Sequence, residues 1–240
     1  MAEPTRILDS HDEPHHNGIG QRLNWLRAAV LGANDGIVST AGLVIGVAAA
    51  TTERSVILTA GLAGLAAGAM SMAVGEYVSV STQRDTEEAL LAKERRELRE
   101  EPEAELEELT QMYADKGLPA DLAHEVAVQL TAHDALGAHA ETELGIDPNA
   151  LTSPWHAAWA SLISFTVGAL IPLIAIVLAG VSIRVPVTVA AVVVSLVGTG
   201  WLSARLGSAP PWPAVRRVVI GGLIAMAVTY AIGSLVGTQV

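Results

Sequence analysis

Five apolar segments, each long enough to cross a lipid bilayer as a helix, constrain this 240-residue chain more than any other feature. A transmembrane helix needs about 20 predominantly apolar residues. Segments that meet this requirement occupy residues 28–52, 55–81, 157–183, 185–204 and 218–240. Because backbone polar groups find no water inside a bilayer, each segment is expected to be helical. The pattern predicts an all-α membrane protein with five transmembrane helices.

The charged residues concentrate in an insert between the second and third apolar segments. Residues 82–155 hold 18 of the 25 acidic but only six of the 14 basic residues, a net charge of −12. Nothing interrupts the helical pattern between the second segment and residue 100, so one continuous helix is expected there. Pro102 is suited to begin a second helix that ends near residue 115. A third helical stretch is expected over 120–143, with a kink near Gly137.

Basic residues predict how the chain is oriented. Twelve of them precede the first segment, lie in the insert or separate the fourth and fifth segments, whereas Arg54 and Arg184 lie on the opposite side. The positive-inside rule then predicts a multi-pass protein of the cell inner membrane, with its N-terminus and insert in the cytoplasm and its C-terminus outside. The predicted divisions are a polar tail (1–24), transmembrane helices 1 and 2 (25–81), the insert (82–155) and transmembrane helices 3 to 5 (156–240).

Two carboxylates fall within the apolar segments, Asp35 in the first and Glu76 in the second. Each costs about 2.5–3.5 kcal/mol at membrane depth. An acid in the headgroup region, or one paired with a nearby arginine, would explain either residue, whereas an oxygen-lined ion pathway would explain both. The Met72 thioether suits Fe²⁺ but not Mg²⁺ or Ca²⁺, although methionine also commonly fills cores. Neutral oxygens are available from Asn34, Ser39, Thr40 and Ser71.

Acidic residues also recur at helical spacing along the insert: Glu94 with Glu97, Glu105 with Glu108, and Glu141 and Glu143 close to His139. Carboxylates that share a helical face repel one another unless a cation lies between them. Three helices folded together would bring four or five of them to one centre suited to Fe²⁺ or Mn²⁺. A solvated acidic face that pairs with neighbouring Lys and Arg residues is the alternative.

Several function classes are excluded or disfavoured. The absence of Cys excludes thiolate metal sites, iron–sulfur clusters and Cys nucleophiles. A net charge of −11 without a basic run argues against a nucleic-acid partner. No nucleotide-binding motif is present, which favours a secondary transporter or channel over a pump. An intramembrane enzyme would need a nucleophile and a base, and the apolar segments offer no such pair. A membrane-anchored metal sensor or buffer remains the alternative to a transporter.

Two segments resemble the vacuolar iron transporter family. They are Gly32-Ala33-Asn34-Asp35-Gly36-Ile37-Val38-Ser39-Thr40 and residues 68–81, GAMSMAVGEYVSVS, the latter followed by Gln83-Arg84-Asp85. The resemblance covers about residues 25–240 and is to a bacterial-type member. It implies a homodimer of five-span protomers, with an ion pathway between the two first helices. It also implies exchange of Fe²⁺, and often Mn²⁺, for protons.

The resemblance further implies roles for individual residues. The family's pathway aspartate and methionine fall on Asp35 and Met72, and we place Glu76 at the inner mouth of that pathway. The family's insert glutamates fall on Glu94, Glu97, Glu105, Glu108 and Glu143. Plant members carry a pair of methionines where His139 and Ala140 stand, so an imidazole replaces a thioether among the expected metal ligands.

The resulting prediction is a proton-coupled divalent-metal exporter. Its partners would be metal ions, protons, the lipid membrane and a second copy of the chain. No cofactor is expected beyond the transported ion.

Overall fold

The computed structural model describes residues 19–237, with side chains from residue 25 onward, and contains no strand within that range. Its elements are α1 (Ile19–Ala50), α2 (Arg54–Glu100), α3 (Pro102–Asp115), α4 (Ala120–His139), a π-helical turn (Ala140–Leu144), α5 (Pro154–Leu178), α6 (Arg184–Leu206) and α7 (Pro211–Gly237). Five of them, α1, α2, α5, α6 and α7, are long and apolar enough to cross a membrane. The predicted all-α fold with five transmembrane helices is confirmed. Most of the predicted tail, residues 1–18, lies outside the described residues.

The helix ends largely follow the signals in the sequence. The second apolar segment continues without interruption to Glu100, as expected, and Pro102 occupies the first turn of α3. The third span ends earlier than predicted, at Leu178 rather than near residue 183. Ala179 is extended (φ −71°, ψ 148°), and the Ile183 amide donates to the Gly180 carbonyl in a turn that leads into α6.

The third helical stretch of the insert is interrupted at Asp134, near Gly137 as predicted. Asp134 has a non-helical backbone (φ −157°, ψ 91°), and its Oδ1 accepts a hydrogen bond of 3.0 Å from the Gly137 amide. This is the bond an N-cap residue makes to the first turn of a new helix. The aspartate therefore ends one helical segment and begins the next.

Contacts divide the described chain into two units. One unit contains residues 82–152, and the other combines residues 24–81 with the described part of 153–240. Helix α2 contributes its apolar part to the second unit and its polar part, from residue 82, to the first.

The five-helix unit is organised around α1. In its most apolar stretch 44% is buried, against 39% for α5, 22% for α6 and 17% for both α2 and α7. Its buried side chains form one cluster with residues from all four other helices: Ile37, Ala41, Val44, Ile45, Ile57, Leu173, Ile176, Val192, Leu196 and Met226. The outer faces of the remaining helices carry many exposed apolar side chains, which is expected where lipid is the solvent.

Small residues bring α1 and α5 into backbone contact. A Cβ on Gly36 would overlap the Phe165 carbonyl, and one on Gly168 would overlap the Ala33 carbonyl. Such close approach is the usual way in which transmembrane helices gain packing energy. It fixes the part of α1 that contains Asp35 against α5.

A buried arginine fastens the other end of α1. Arg184, which is 3% exposed, donates from Nη1 and Nη2 to the Thr52 carbonyl, at 3.1 Å each. This carbonyl follows the C-terminus of α1, where the helix dipole favours a positive charge. The bidentate contact links the turn after α1 to the first residue of α6.

The smaller unit packs α3 against α4 through buried apolar residues that include Leu109, Ala123 and Ala127. The Tyr113 hydroxyl lies 3.3 Å from Thr142 Oγ1 and so connects α3 to the π-helical turn. These contacts position the side chains described next.

Candidate metal-binding site and membrane cavity

Three metal-ligating side chains converge inside the smaller unit. Glu94, Glu105 and His139 are all buried, and one ligand atom of each lies within 4.8 Å of the other two. His139 Nδ1 is 3.0 Å from Glu94 Oε1 and 3.6 Å from Glu105 Oε2. Among the described residues, this is the cluster in which three such groups come close enough to share an ion. We call it the Glu–Glu–His cluster.

Each ligand comes from a different helical segment. Glu94 lies on the polar part of α2, Glu105 on the first turn of α3 just after Pro102, and His139 at the end of α4. A π-helical turn follows directly and brings Glu143 Oε2 to 4.0 Å from His139 Nδ1. Single π turns within α-helical regions are rare and frequently occur at functional sites.

The electrostatics of the cluster are unfavourable without a cation. Burial raises the pKa of the Glu94 carboxyl to about 7, and repulsion from Glu143 and Glu105 adds to the effect. Burial, with repulsion from Glu108 next, also raises the pKa of Glu105. Burial lowers the pKa of His139, so its imidazole is neutral at pH 7 and retains a free electron pair.

The donor atoms are available for a metal. Although His139 Nδ1 approaches Glu94 Oε1 closely, neither atom forms a hydrogen bond of acceptable geometry with any described residue. Buried polar atoms are normally paired, so each such atom needs an explanation. Imidazole nitrogen and carboxylate oxygen together suit Fe²⁺, Mn²⁺, Co²⁺ and Zn²⁺.

The other predicted ligands lie at the rim of the cluster. Glu97 Oε2 accepts a hydrogen bond of 2.8 Å from Lys93 Nζ, and its side chain is 37% exposed. Glu108 is exposed. Both still act on Glu94 through space and help to raise its pKa. The structure therefore brings three of the six predicted insert ligands together, with Glu143 adjacent and two others at the edge.

A second candidate site is a cavity of about 220 Å³ within the five-helix unit. Its walls carry one carboxylate, one thioether, three hydroxyls and apolar groups, from Asp35, Ser39, Thr40, Leu43, Gly64, Gly68, Ser71, Met72 and Phe165. The Ser39 hydroxyl donates to the backbone carbonyl of Asp35 and not to its carboxylate. Asp35 and Met72, placed together by the resemblance, thus line one space.

A family model described as the VIT family matches residues 26–234, which is most of the chain. The chain belongs to the VIT family. It is 44% identical over 226 residues to a vacuolar iron transporter of Acanthamoeba castellanii, covering 93% of this chain and 82% of that protein. Identity is 39% over 220 residues to vacuolar iron transporter homolog 1 of Arabidopsis thaliana, with 91% and 86% coverage. Membership and the five helices make this chain a multi-pass membrane protein of a transporter family rather than an enzyme.

Glu76 of this VIT-family chain is not among the residues that line the cavity. It lies one helical turn after Met72 on α2, is 9% exposed, and its Oε2 has no hydrogen-bond partner among the described residues. An unpaired buried carboxylate oxygen is unfavourable unless an ion, a proton or water binds to it.

Sequence reasoning did not single out Leu43, Gly64 or Phe165 as residues of the cavity. Of these, Phe165 is the one on neither α1 nor α2. It lies on α5, far along the chain from both Asp35 and Met72. The available signals were that it is the only Phe in a chain of 240 residues and that it lies within an apolar segment. Neither signal indicates that Phe165 lies against Gly36 and Gly68, because that contact depends on how α5 packs against α1 and α2.

Proposed function

We propose that this VIT-family protein exports divalent metal, Fe²⁺ and also Mn²⁺, from the cytoplasm in exchange for protons. Relatives over most of the chain are named vacuolar iron transporters, which supports metal as the transported species. The observation that carries the proposal is the cavity between helices of the five-helix unit, lined by both a carboxylate and a thioether. A membrane anchor would not need such a space.

In the proposed mechanism, the insert first captures the ion. The Glu–Glu–His cluster supplies two carboxylates and a neutral imidazole, and Glu143 supplements them. Glu97 and Glu108 at the rim attract cations and raise their local concentration. Because several carboxylates lose their mutual repulsion when a divalent ion binds, the cation stabilises the folded insert.

The ion then crosses the membrane through the cavity. Asp35 supplies charge, Met72 supplies a soft ligand, and the hydroxyls of Ser39, Thr40 and Ser71 replace part of the hydration shell. Glu76, whose buried Oε2 has no hydrogen-bond partner among the described residues, binds the ion or a proton on the cytoplasmic side of this cavity. The protein acts as a homodimer in the cell inner membrane, with its N-terminus and insert in the cytoplasm and its C-terminus outside.

Protons drive release because metal ions and protons compete for the same electron pairs. Protonation of the pathway carboxylates from the acidic side weakens metal binding there, and deprotonation on the cytoplasmic side restores it. This competition couples export to the proton gradient without any nucleotide.

Asp35→Asn tests the proposal in proteoliposomes that have an acidic lumen. The variant should lose Fe²⁺ uptake yet keep the thermal stability and dimeric size of the wild type, since asparagine preserves shape but removes the charge. Asp121→Asn, at an exposed aspartate of α4, is the matched control and should transport normally. Unchanged uptake by Asp35→Asn would refute the pathway.

A sensor or buffer is the second candidate, because the Glu–Glu–His cluster is complete within the smaller unit. For that function, wild-type liposomes would bind metal without taking it up. Combined Glu94→Ala and Glu97→Ala substitutions would abolish the metal response, whereas Asp35→Asn would leave it unchanged.

A further inference from the structure

Phe165 lies where α5 meets the two helices that carry Asp35 and Met72. It is 1% exposed. Its backbone carbonyl packs against Gly36, the residue after Asp35, so closely that a Cβ on that glycine would overlap it. Its ring packs against Gly68, one helical turn before Met72, where a Cβ would overlap Cζ and lie 2.9 Å from Cε1. One residue therefore contacts both helices next to their metal-binding side chains.

Phe165 also belongs to the apolar wall beside the Met72 side chain. Met72 packs against the buried cluster formed by Ala69, Phe165 and Ala169, and both Met72 and Phe165 line the cavity. Methionine has three flexible torsions and adapts to whatever space surrounds it. A thioether with one side against a rigid wall keeps fewer orientations, and those that remain face the cavity.

We propose that Phe165 is a positioning residue that sets the metal preference of the cavity. It fixes the spacing between the helix of Asp35 and the helix of Met72, and it holds the thioether towards the ion. This inference rests on the proposed transport function and adds to it a determinant of specificity that acts through Met72 and is not itself a metal ligand.

The chemistry predicts the direction of the effect. If the ring is shortened, the Met72 side chain relaxes into the vacated volume, since close packing is favourable. The cavity then presents mainly the Asp35 carboxylate and hydroxyl oxygens, a harder ligand set that favours Mn²⁺ relative to Fe²⁺. The loss appears as a higher KM for Fe²⁺, with a smaller change for Mn²⁺. A general packing defect would instead lower both rates together.

The experiment compares initial uptake of Fe²⁺ and Mn²⁺ by full-length protein in proteoliposomes. Met72→Leu removes the thioether and gives the reference change in the ratio of the two rates. Phe165→Leu shortens the ring that holds Met72, and Gly68→Ala displaces that ring, because the new Cβ would overlap it. Each variant should therefore lower the Fe²⁺-to-Mn²⁺ ratio about two- to tenfold. Gly75→Ala is the matched control on α2, because a Cβ there meets nothing within 4 Å.

The double variant provides a rescue. In Gly68→Ala with Phe165→Leu, the new methyl occupies the space that the end of the ring vacates, so the ratio should recover towards the wild-type value. If Phe165→Leu does not fold, Gly68→Ala and Phe165→Met decide the question by the same ratio. If Met72→Leu changes the Fe²⁺-to-Mn²⁺ ratio but the Phe165 and Gly68 single variants keep the wild-type ratio, the role of Phe165 is overturned. The proposed transport function would not be affected by that result. Absence of uptake of either ion by the wild type would overturn the proposed function and this inference together.

Discussion

Replacing Glu94 by glutamine tests whether the insert contains a carboxylate whose charge is unfavourable without metal. Glutamine preserves the shape of the side chain and cannot ionise. Burial, together with repulsion from Glu143 and Glu105, raises the Glu94 pKa from 4.5 to about 7. The folded state then binds more protons than the unfolded state between these pH values. The protonated Glu94 carboxyl therefore makes its full contribution to the stability of the metal-free protein below pH 4.5. That contribution is lost as the pH rises through 7.

The size of the effect follows from that pKa change. At 1.36 kcal/mol per unit, about 3 kcal/mol of stability is lost by pH 8, of which about 1 kcal/mol is already lost at pH 5. Glu94→Gln avoids this loss, so the metal-free variant should be more stable than wild type by these amounts. In a chain of this size, 1 kcal/mol shifts Tm by about 2–4 °C, which gives about 6–12 °C at pH 8 and 2–4 °C at pH 5.

The assay is apparent Tm in detergent with a chelator at both pH values, followed by titration with Mn²⁺ or Fe²⁺. Metal should raise the wild-type Tm strongly at pH 8 and the variant Tm much less, because ligand binding to the folded state stabilises it by mass action. Glu107→Gln, at an exposed glutamate of α3, should match wild type throughout. A Glu94→Gln variant that is no more stable than wild type at pH 8, or that gains equally from metal, would refute the reasoning.

Three further substitutions have defined outcomes. His139→Ala should weaken Zn²⁺ binding at least about tenfold, and more than Mn²⁺ binding, since imidazole is the softer ligand; calorimetry measures both, and equal losses would contradict a ligand role. Gly36→Ala should lower stability by about 1–3 kcal/mol through overlap with α5, whereas Gly75→Ala should not; equal Tm values would show that the contact is looser than described. Arg184→Lys should lower stability by about 1–3 kcal/mol, because lysine cannot make the bidentate contact to the Thr52 carbonyl, and an unchanged Tm would contradict this.

The membrane fold was predictable because a bilayer imposes a length and a composition on each span. The continuous helix α2 and the start of α3 at Pro102 were also predictable, since helix propensity and proline geometry act locally. The kink in the third helical stretch was predicted near Gly137, and it begins at Asp134. A capping aspartate and a flexible glycine are both helix-breaking signals, and only the Asp134–Gly137 hydrogen bond distinguishes them.

The candidate site was predictable as a group of residues but not as a geometry. Side chains three positions apart differ by about 60° around a helix. That difference puts Glu94 in the interior, while Glu97 lies near the surface and pairs with Lys93. Which member of a pair is buried depends on the packing of α2 with α3 and α4. Spacing does not encode this, and neither does it encode the contact of Phe165 with Gly68.

Simultaneous recording of metal uptake and lumenal pH in proteoliposomes tests the central claim most directly. With an acidic lumen, Fe²⁺ entry should be accompanied by a rise in lumenal pH beyond the passive leak, and both signals should disappear in Asp35→Asn. Fe²⁺ entry at the same rate with and without a proton gradient, and with no change in lumenal pH, would contradict exchange of metal for protons.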